Sequence, residues 1–148
     1  MGVAEIFRRN LCLAVEASAI EVATTAKYEH RYKQRHGRLK DAVQTAIGES
    51  GMEARVYLDG NIAPYGVFIH EGIRPHDIFP KRRKWLRWVD GDKFRFAKRV
   101  HFPGWDPDPF IYDALESNQE TIVRIFDRYT ERALREVEDA ITSRQLEG

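Results

Sequence analysis

The heptapeptide PGWDPDP, residues 103–109, is the feature that most constrains the fold of this chain. It carries three prolines and one glycine in seven positions. No regular helix or strand tolerates that density, because each proline fixes φ and removes a backbone donor. The segment therefore separates a final helical region from everything that precedes it.

Two long helical patterns frame the chain. Apolar side chains recur at spacings of three and four over residues 3–33 and again over residues 110–144, which predicts an amphipathic helix at each end. The second helix would be about 50 Å long at 1.5 Å per residue. Since that exceeds the sheet it would cover, we expect one end of it to need a partner outside the monomer.

The middle of the chain has the period of β-strands. Residues 38–47 form a short amphipathic stretch ended by Gly48, and after Gly51 apolar residues alternate with polar ones. Pro64 would open a short helix whose buried side is Tyr65, Phe68 and Ile69. Further strands are expected at 76–80, 85–89 and 93–102, the last two forming an antiparallel hairpin around the turn 90–92.

These elements predict an α+β fold in a single domain over residues 1–148. A small antiparallel β-sheet would be packed against the long N- and C-terminal helices. No apolar stretch approaches the roughly 20 residues that a membrane-spanning helix needs, so we expect no membrane partner. The single cysteine, Cys12, excludes an intrachain disulfide.

Charge is distributed unevenly although the net charge is only +1. Residues 74–99 hold ten Lys/Arg and three Asp/Glu, a net charge of +7, whereas residues 104–148 hold five and eleven, a net charge of −6. Two surfaces of opposite sign are therefore expected. They would attract each other between copies of the chain, present one sign to a polyanion, or simply be solvated faces.

The sequence offers weak catalytic patterns, and we expect neither an enzyme nor a cofactor. His70-Glu71 with His76 has the spacing HExxxxH, whereas a zinc-protease helix needs HExxH to place both imidazoles on one face. Asp106 and Asp108 resemble an acid–base pair, but the prolines around them favour a turn in which Asp bonds backbone amides. We therefore predict no catalytic and no metal-binding residues.

The run Lys81-Arg82-Arg83-Lys84, followed by Trp85 and Trp88, is the clearest pattern for nucleic acid. Basic residues neutralise phosphates without reading sequence, and aromatic rings stack on bases. The alternative is that the tryptophans belong to a strand and the basic residues to a solvated turn. Either way, the strand region would suit non-specific contact with DNA phosphates.

An ordered set of short motifs covers about residues 28–120. It consists of Gly37-Arg38-Leu39, Pro64-Tyr65-Gly66-Val67-Phe68-Ile69-His70-Glu71-Gly72, the basic strand pair at Ile78–Trp88, Val100-His101-Phe102-Pro103-Gly104, and Pro109-Phe110-Ile111-Tyr112-Asp113-Ala114-Leu115. This order resembles the neck or tail-completion family of tailed bacteriophages, small minor-tail proteins that join head to tail. The chain departs from the family's pattern in its longer, more acidic Trp105–Asp108 loop and in Ile73, where Thr is common.

The resemblance implies a structural virion protein, assembled in the host cytoplasm, that forms a ring in the neck through which DNA passes. Six copies are favoured over twelve. The implied partners are a head connector, adaptor or stopper protein on one side, a tail terminator or tail tube protein on the other, and viral double-stranded DNA without sequence preference. A tail terminator remains an alternative, as does a monomeric nucleic-acid-binding module that uses residues 81–84.

Two groups of residues are candidates for these contacts. The expected ring or partner interface has Trp105 and Phe110 as aromatic anchors, and its members are Trp105, Asp106, Asp108, Phe110, Tyr65, Phe68 and Glu71. The expected basic surface, facing DNA or an acidic neighbour, comprises Lys81, Arg82, Arg83, Lys84, Arg87, Lys98 and Arg99.

Overall fold

The computed structural model describes residues 1–30 and 38–148. It confirms the predicted α+β class, with long terminal helices and small antiparallel sheets. The helices are α1 (Val3–Tyr28), α2 (Arg38–Ala42), α3 (Gly66–Glu71), α4 (Phe110–Ser117) and α5 (Gln119–Leu146). The strands are β1 (Val43–Ile47), β2 (Ala54–Leu58), β3 (His76–Ile78), β4 (Leu86–Asp90), β5 (Lys93–Ala97) and β6 (Val100–Phe102).

Helix α1 is the centre of the packed body and contacts α5, α4 and both strands of the first hairpin. Its buried face is made mostly of small residues, which let the neighbouring backbones approach closely: Ile6, Asn10, Ala14, Ser18, Ala19, Val22, Ala23 and Ala26. An ion pair between Arg9 and Glu136 ties α1 to α5 at the surface. The helix ends at Tyr28, and residues 31–37, which include the predicted end of this helix and Gly37, lie outside the described residues.

The amphipathic stretch at 38–47 is divided between two elements. Helix α2 ends at Ala42, and β1 begins at Val43 and pairs antiparallel with β2, Val43 opposite Leu58 and Ile47 opposite Ala54. The β-branched Val43, Thr45 and Ile47 favour extended backbone, and this preference prevails over the helical spacing of Leu39, Val43 and Ile47.

Helix α3 is rotated about its axis relative to the predicted orientation, although Ile69 packs against the core as predicted. Gly66 and His70 are buried, four residues apart on one face, whereas Tyr65 and Phe68 are 45% and 54% exposed. The cause is the close approach of Gly66 to Leu39, where a Cβ would lie 2.8 Å from Leu39 Cδ1. The prediction that Tyr65 and Phe68 are buried is therefore wrong, and the helix turns both rings outward.

The segment predicted as one strand over 93–102 forms two. Strand β5 pairs antiparallel with β4 around the predicted turn at 90–92, which confirms the hairpin, but the pairing ends at Leu86 opposite Ala97. After Lys98 and Arg99 the chain re-enters a strand as β6, which pairs with β3 instead, His76 opposite Phe102. The predicted strand is divided after Ala97 because β4 has only five residues with which it can pair.

The helix predicted over 110–144 is interrupted at Asn118, between α4 and α5. The buried Asn118 amide donates from Nδ2 to the Ala114 carbonyl at 2.8 Å and to Thr25 Oγ1 at 2.8 Å. An asparagine side chain that bonds the backbone competes with the helical hydrogen bonds and favours a break. The bond to Thr25 also connects this interruption of the helix to α1.

Candidate interaction surface

Residues 73–105, which we call the arm, leave the body after α3 and return to it before α4. At the base, the Ile73 amide donates to the Trp105 carbonyl at 3.0 Å and the Trp105 amide donates to the Ile73 carbonyl at 2.8 Å. Gly72 and Gly104 flank this pair with φ of +78° and +89°, and a Cβ on either would lie within 2.8 Å of a carbonyl oxygen across the base. The two glycines therefore allow the outgoing and returning segments of the chain to approach each other closely.

The arm is exposed along most of its length. All ten of its Lys and Arg residues are exposed, and its strands have their extensive contacts with one another. Several of its large apolar side chains are also more than a third exposed: Ile78, Phe79, Trp85, Trp88, Val89, Phe94, Phe96 and Trp105. Exposed large apolar side chains in this number make the arm the candidate interaction surface of the molecule.

The register of β4 and β5 divides the ribbon into two faces. Directly opposed residues of an antiparallel pair lie on the same face, and Arg87 opposes Phe96 while Val89 opposes Phe94. We call this side the cationic–aromatic face, and its members are Trp85, Arg87, Val89, Phe94, Phe96 and Lys98.

Cation–π contacts order the cationic–aromatic face. The Arg87 guanidinium lies 4.8 Å from the centroid of the Phe94 ring, and Lys98 Nζ lies 5.0 Å from the centroid of the Trp85 ring. Such contacts stabilise exposed sites by about 0.5–1 kcal/mol each. They hold two positive charges among three aromatic rings, and none of the six residues is acidic.

The other parts of the arm differ in chemistry. The opposite face of the ribbon carries Trp88 and an ion pair of 2.9 Å between Arg95 Nε and Asp90 Oδ2. On the β3–β6 pair, His101 Nδ1 lies 2.8 Å from Asp77 Oδ1, and this hydrogen bond, together with the nearby Arg99, lowers the pKa of Asp77. A carboxylate on each of these surfaces reduces its positive charge.

The predicted basic surface lies entirely on the arm and is exposed. Its members lie on three segments of the arm. Residues 81–84 lie in the loop between β3 and β4, Arg87 lies on β4, and Lys98 and Arg99 lie between β5 and β6. Only Arg87 and Lys98 of these residues take part in the cationic–aromatic face, together with the aromatic rings that the prediction did not include.

Some residues of the predicted partner interface are exposed and others are buried. Trp105 is 54% exposed beside the base of the arm, Asp106 is exposed, and Tyr65 and Phe68 point outward from α3. Phe110 is only 1% exposed and belongs to the core cluster, and Asp108 is 6% exposed. The prediction that Phe110 is a docking anchor is therefore wrong, because its ring is buried in the core cluster and lies edge-on to His70 of α3. Asp108 is likewise buried and is not part of the exposed surface.

His70 forms a polar connection between α3 and α4. The Ile111 amide donates to His70 Nε2 at 3.3 Å, so Nδ1 carries the proton and donates to Glu71 Oε1 at 2.9 Å. The Tyr112 hydroxyl donates to the same Glu71 oxygen at 3.2 Å. These hydrogen bonds, chiefly that from His70, lower the pKa of Glu71, and the carboxylate in turn raises the pKa of Tyr112.

This arrangement gives both ring nitrogens of His70 a structural role. His76 is separated from it on β3, where its Nδ1 lies 2.9 Å from the Arg74 carbonyl. Over residues 1–30 and 38–148 there is no group of three His, Cys, Asp or Glu side chains placed to hold a metal ion. Within the same ranges no helix is both long enough and apolar enough to cross a bilayer.

One surface on α5 was missed by the sequence analysis. Val123, Leu134 and Ile141 are exposed although they are apolar. Their spacings of eleven and seven residues are close to whole numbers of helical turns, and this periodicity, separate from that of the core stripe, is the signal that would have identified them.

Comparison of the chain with protein-family models, with curated proteins and with solved structures finds no match in any of the three.

Proposed function

We propose that this chain is a structural virion protein of a tailed bacteriophage, which forms a homo-oligomeric ring in the neck and joins the tail to the DNA-filled head. The observation that carries the proposal is the exposed arm, with a net charge of +7 over residues 74–99 beside a C-terminal segment of −6. A ring needs two different and complementary surfaces on each copy, and this chain offers two of opposite charge.

The order of motifs in the sequence supports the neck rather than another ring in a virion. In the proposed assembly, the exposed residues Trp105, Asp106, Tyr65 and Phe68 contact a head connector, adaptor or stopper protein, or the tail terminator or tail tube. Six copies are preferred over twelve. The exposed arginines and lysines of the 81–84 loop suit the phosphates of DNA in the passage, since phosphate contacts need no sequence-specific geometry.

Replacing Trp105 tests the docking role. Its indole is more than half exposed, and the hydrogen bonds at the base of the arm come from its backbone, so Trp105→Ala should leave a folded protein. We expect tails that fail to join heads, measured by infectivity and by counting tailless heads in micrographs. Trp88→Ala, on the ribbon, is the matched control for loss of an exposed indole. Normal tail joining by Trp105→Ala would contradict the docking role.

A monomeric nucleic-acid-binding module is the second candidate, favoured by the exposed basic loop 81–84 next to the exposed Trp85. It predicts a species of 17.3 kDa in light scattering and DNA binding that weakens steeply as salt is raised. The ring predicts a species larger than 17.3 kDa. Measuring the mass and the salt dependence on the same preparation separates the two.

A further inference from the structure

The outer side of α5 carries an apolar row that the body of the protein does not cover. Val123, Leu134 and Ile141 are 60%, 49% and 51% exposed. Because α-helices have 3.6 residues per turn, their spacings of eleven and seven residues place all three on one side. The core-facing side of α5 is a different one, where Ile125 and Ala133 are buried.

Carboxylates follow this row along one flank. Asp127 and Glu138 each come four residues after a member of the row, and Glu120 precedes Asp127 by seven residues. At 3.6 residues per turn, all three carboxylates lie about 50° around the helix axis from the apolar row. All three are exposed. We call the combined surface the acidic–apolar row, and its members are Glu120, Val123, Asp127, Leu134, Glu138 and Ile141.

This row and the cationic–aromatic face of the arm are opposite in charge and alike in apolar content. One presents carboxylates beside aliphatic side chains, and the other presents Arg87 and Lys98 among aromatic rings. Their sizes also agree, because Val123 to Ile141 spans about 27 Å of helix and a five-residue strand is about 17 Å long. The ribbon would therefore lie within the length of the row.

We propose that the cationic–aromatic face of one copy packs on the acidic–apolar row of the next copy. The proposal rests on the proposed ring and names the two surfaces that build it. The pairing is heterologous, since each copy uses its arm toward one neighbour and its α5 toward the other, and a heterologous pairing that closes on itself forms a ring. Aromatic and arginine side chains at the centre of the contact are typical of interface hot spots.

A second copy fits the cationic–aromatic face better than DNA does. Phosphates of duplex DNA would pair with Arg87 and Lys98. The bases of a duplex are stacked on one another and not free to stack on side chains, so Val89, Phe94 and Phe96 on the same face would gain no apolar partner. The acidic–apolar row supplies partners for both kinds of side chain. DNA binding by this face is thus the competing outcome of the test.

The test reverses one charge on each surface and measures self-association by sedimentation at low and moderate salt. Arg87→Glu and Glu138→Lys should each weaken association about tenfold or more, and raised salt should weaken that of the wild type. The controls change charge equally at neighbouring positions off the two surfaces. Lys93→Glu lies on the opposite face of the ribbon, and Asp139→Lys lies about 100° around α5 from Glu138.

Mixing the two surface variants gives the sharper result. Arg87→Glu keeps an intact α5, and Glu138→Lys keeps an intact arm. A one-to-one mixture should therefore associate more strongly than either variant alone, both through the unaltered pairing and through the two altered surfaces, whose charges are then opposite. The double variant Arg87→Glu/Glu138→Lys should also regain part of the association, because the reversed charges attract each other. Circular dichroism and the free energy of unfolding confirm that each variant is folded.

The outcomes separate this inference from the proposed ring. Association of the wild type that both surface variants retain would overturn the arm-to-α5 pairing and leave the ring in place. A wild type that remains at 17.3 kDa at every concentration and salt would overturn the pairing and count against the ring. Loss of DNA binding in Arg87→Glu without loss of self-association would assign the face to DNA instead.

Discussion

At the scale of the residue, His70 shows how one buried polar side chain joins two helices. Its ring accepts a hydrogen bond from the Ile111 amide. That amide is one of the four donors that the start of a helix leaves without an intrahelical partner. The ring also lies edge-on to Phe110 and Tyr112, with centroids 5.1 and 4.6 Å away. Packing and hydrogen bonding thus act on the same side chain.

Replacing this side chain should destabilise the body. We expect His70→Ala to lower the free energy of unfolding by about 2–3 kcal/mol, because it leaves a cavity and a buried amide without its acceptor. Urea denaturation measures the change. His76→Ala, at an exposed position on the arm, is the control and should stay within about 0.5 kcal/mol of the wild type. Equal stability of the two variants would contradict the role given to His70.

Glu71 should make stability depend on acid. Its pKa is lowered from the usual 4.5 in the folded protein, so its contribution to stability is present above pH 4.5 and is lost as the pH falls through the folded value. Glu71→Gln should therefore lose stability relative to the wild type at neutral pH, and the difference should shrink below pH 4.5. Glu116→Gln, at an exposed position of α4, is the control for the loss of one carboxylate, and both variants are followed by denaturation curves across this pH range.

At the scale of the element, the arm depends on its base. The outgoing and returning segments of the chain are joined there by the hydrogen-bonded pair Ile73 and Trp105. The flanking Gly72 and Gly104 allow the two segments to approach this closely. A Cβ at Gly104 would lie only 2.7 Å from the Ile73 carbonyl oxygen. The φ of +89° at this position is also unfavourable for any residue with a side chain. A single methyl group at Gly104 would therefore strain the base of the arm.

We expect Gly104→Ala to open the base of the arm without unfolding the helices. The amides of Ile73 and Trp105 should exchange with solvent at least about tenfold faster, because strain of about 1–3 kcal/mol is relieved by opening. Gly91→Ala is the matched control, since Gly91 also has a positive φ but no atom lies within 4 Å of the added Cβ. Unchanged exchange at Ile73 and Trp105 in Gly104→Ala would contradict the crowding argument.

The elements differ in how far the sequence predicts them. The long helices and the β4–β5 hairpin follow from periodicity and from the turn residues 90–92, which are local signals. The break at Asn118 does not, because it depends on a hydrogen bond to Thr25, 93 residues away. The burial of Phe110 was likewise hidden, since a proline-rich loop before a helix suggests a surface position and only the tertiary packing of the core cluster encloses the ring.

At the scale of the whole molecule, the chain has a packed helical body and an exposed arm of opposite charge to its C-terminal helices. The segregation of charge was predicted from residue counts, and the alternation along residues 93–99 already places Phe94, Phe96 and Lys98 on one side, but the residues of β4 that join them on that face required the strand register. The exposed row on α5 required the burial of each helical position. Both surfaces point to a protein that works by assembling with other chains.

The proposed neck ring is tested most directly by electron cryomicroscopy of particles of the tailed bacteriophage that we propose to carry this protein. We predict a ring of identical copies at the vertex between head and tail, six rather than twelve, with DNA through its centre and each arm lying against the α5 helix of its neighbour. Copies found elsewhere in the particle, or present as separate monomers along the DNA, would contradict it.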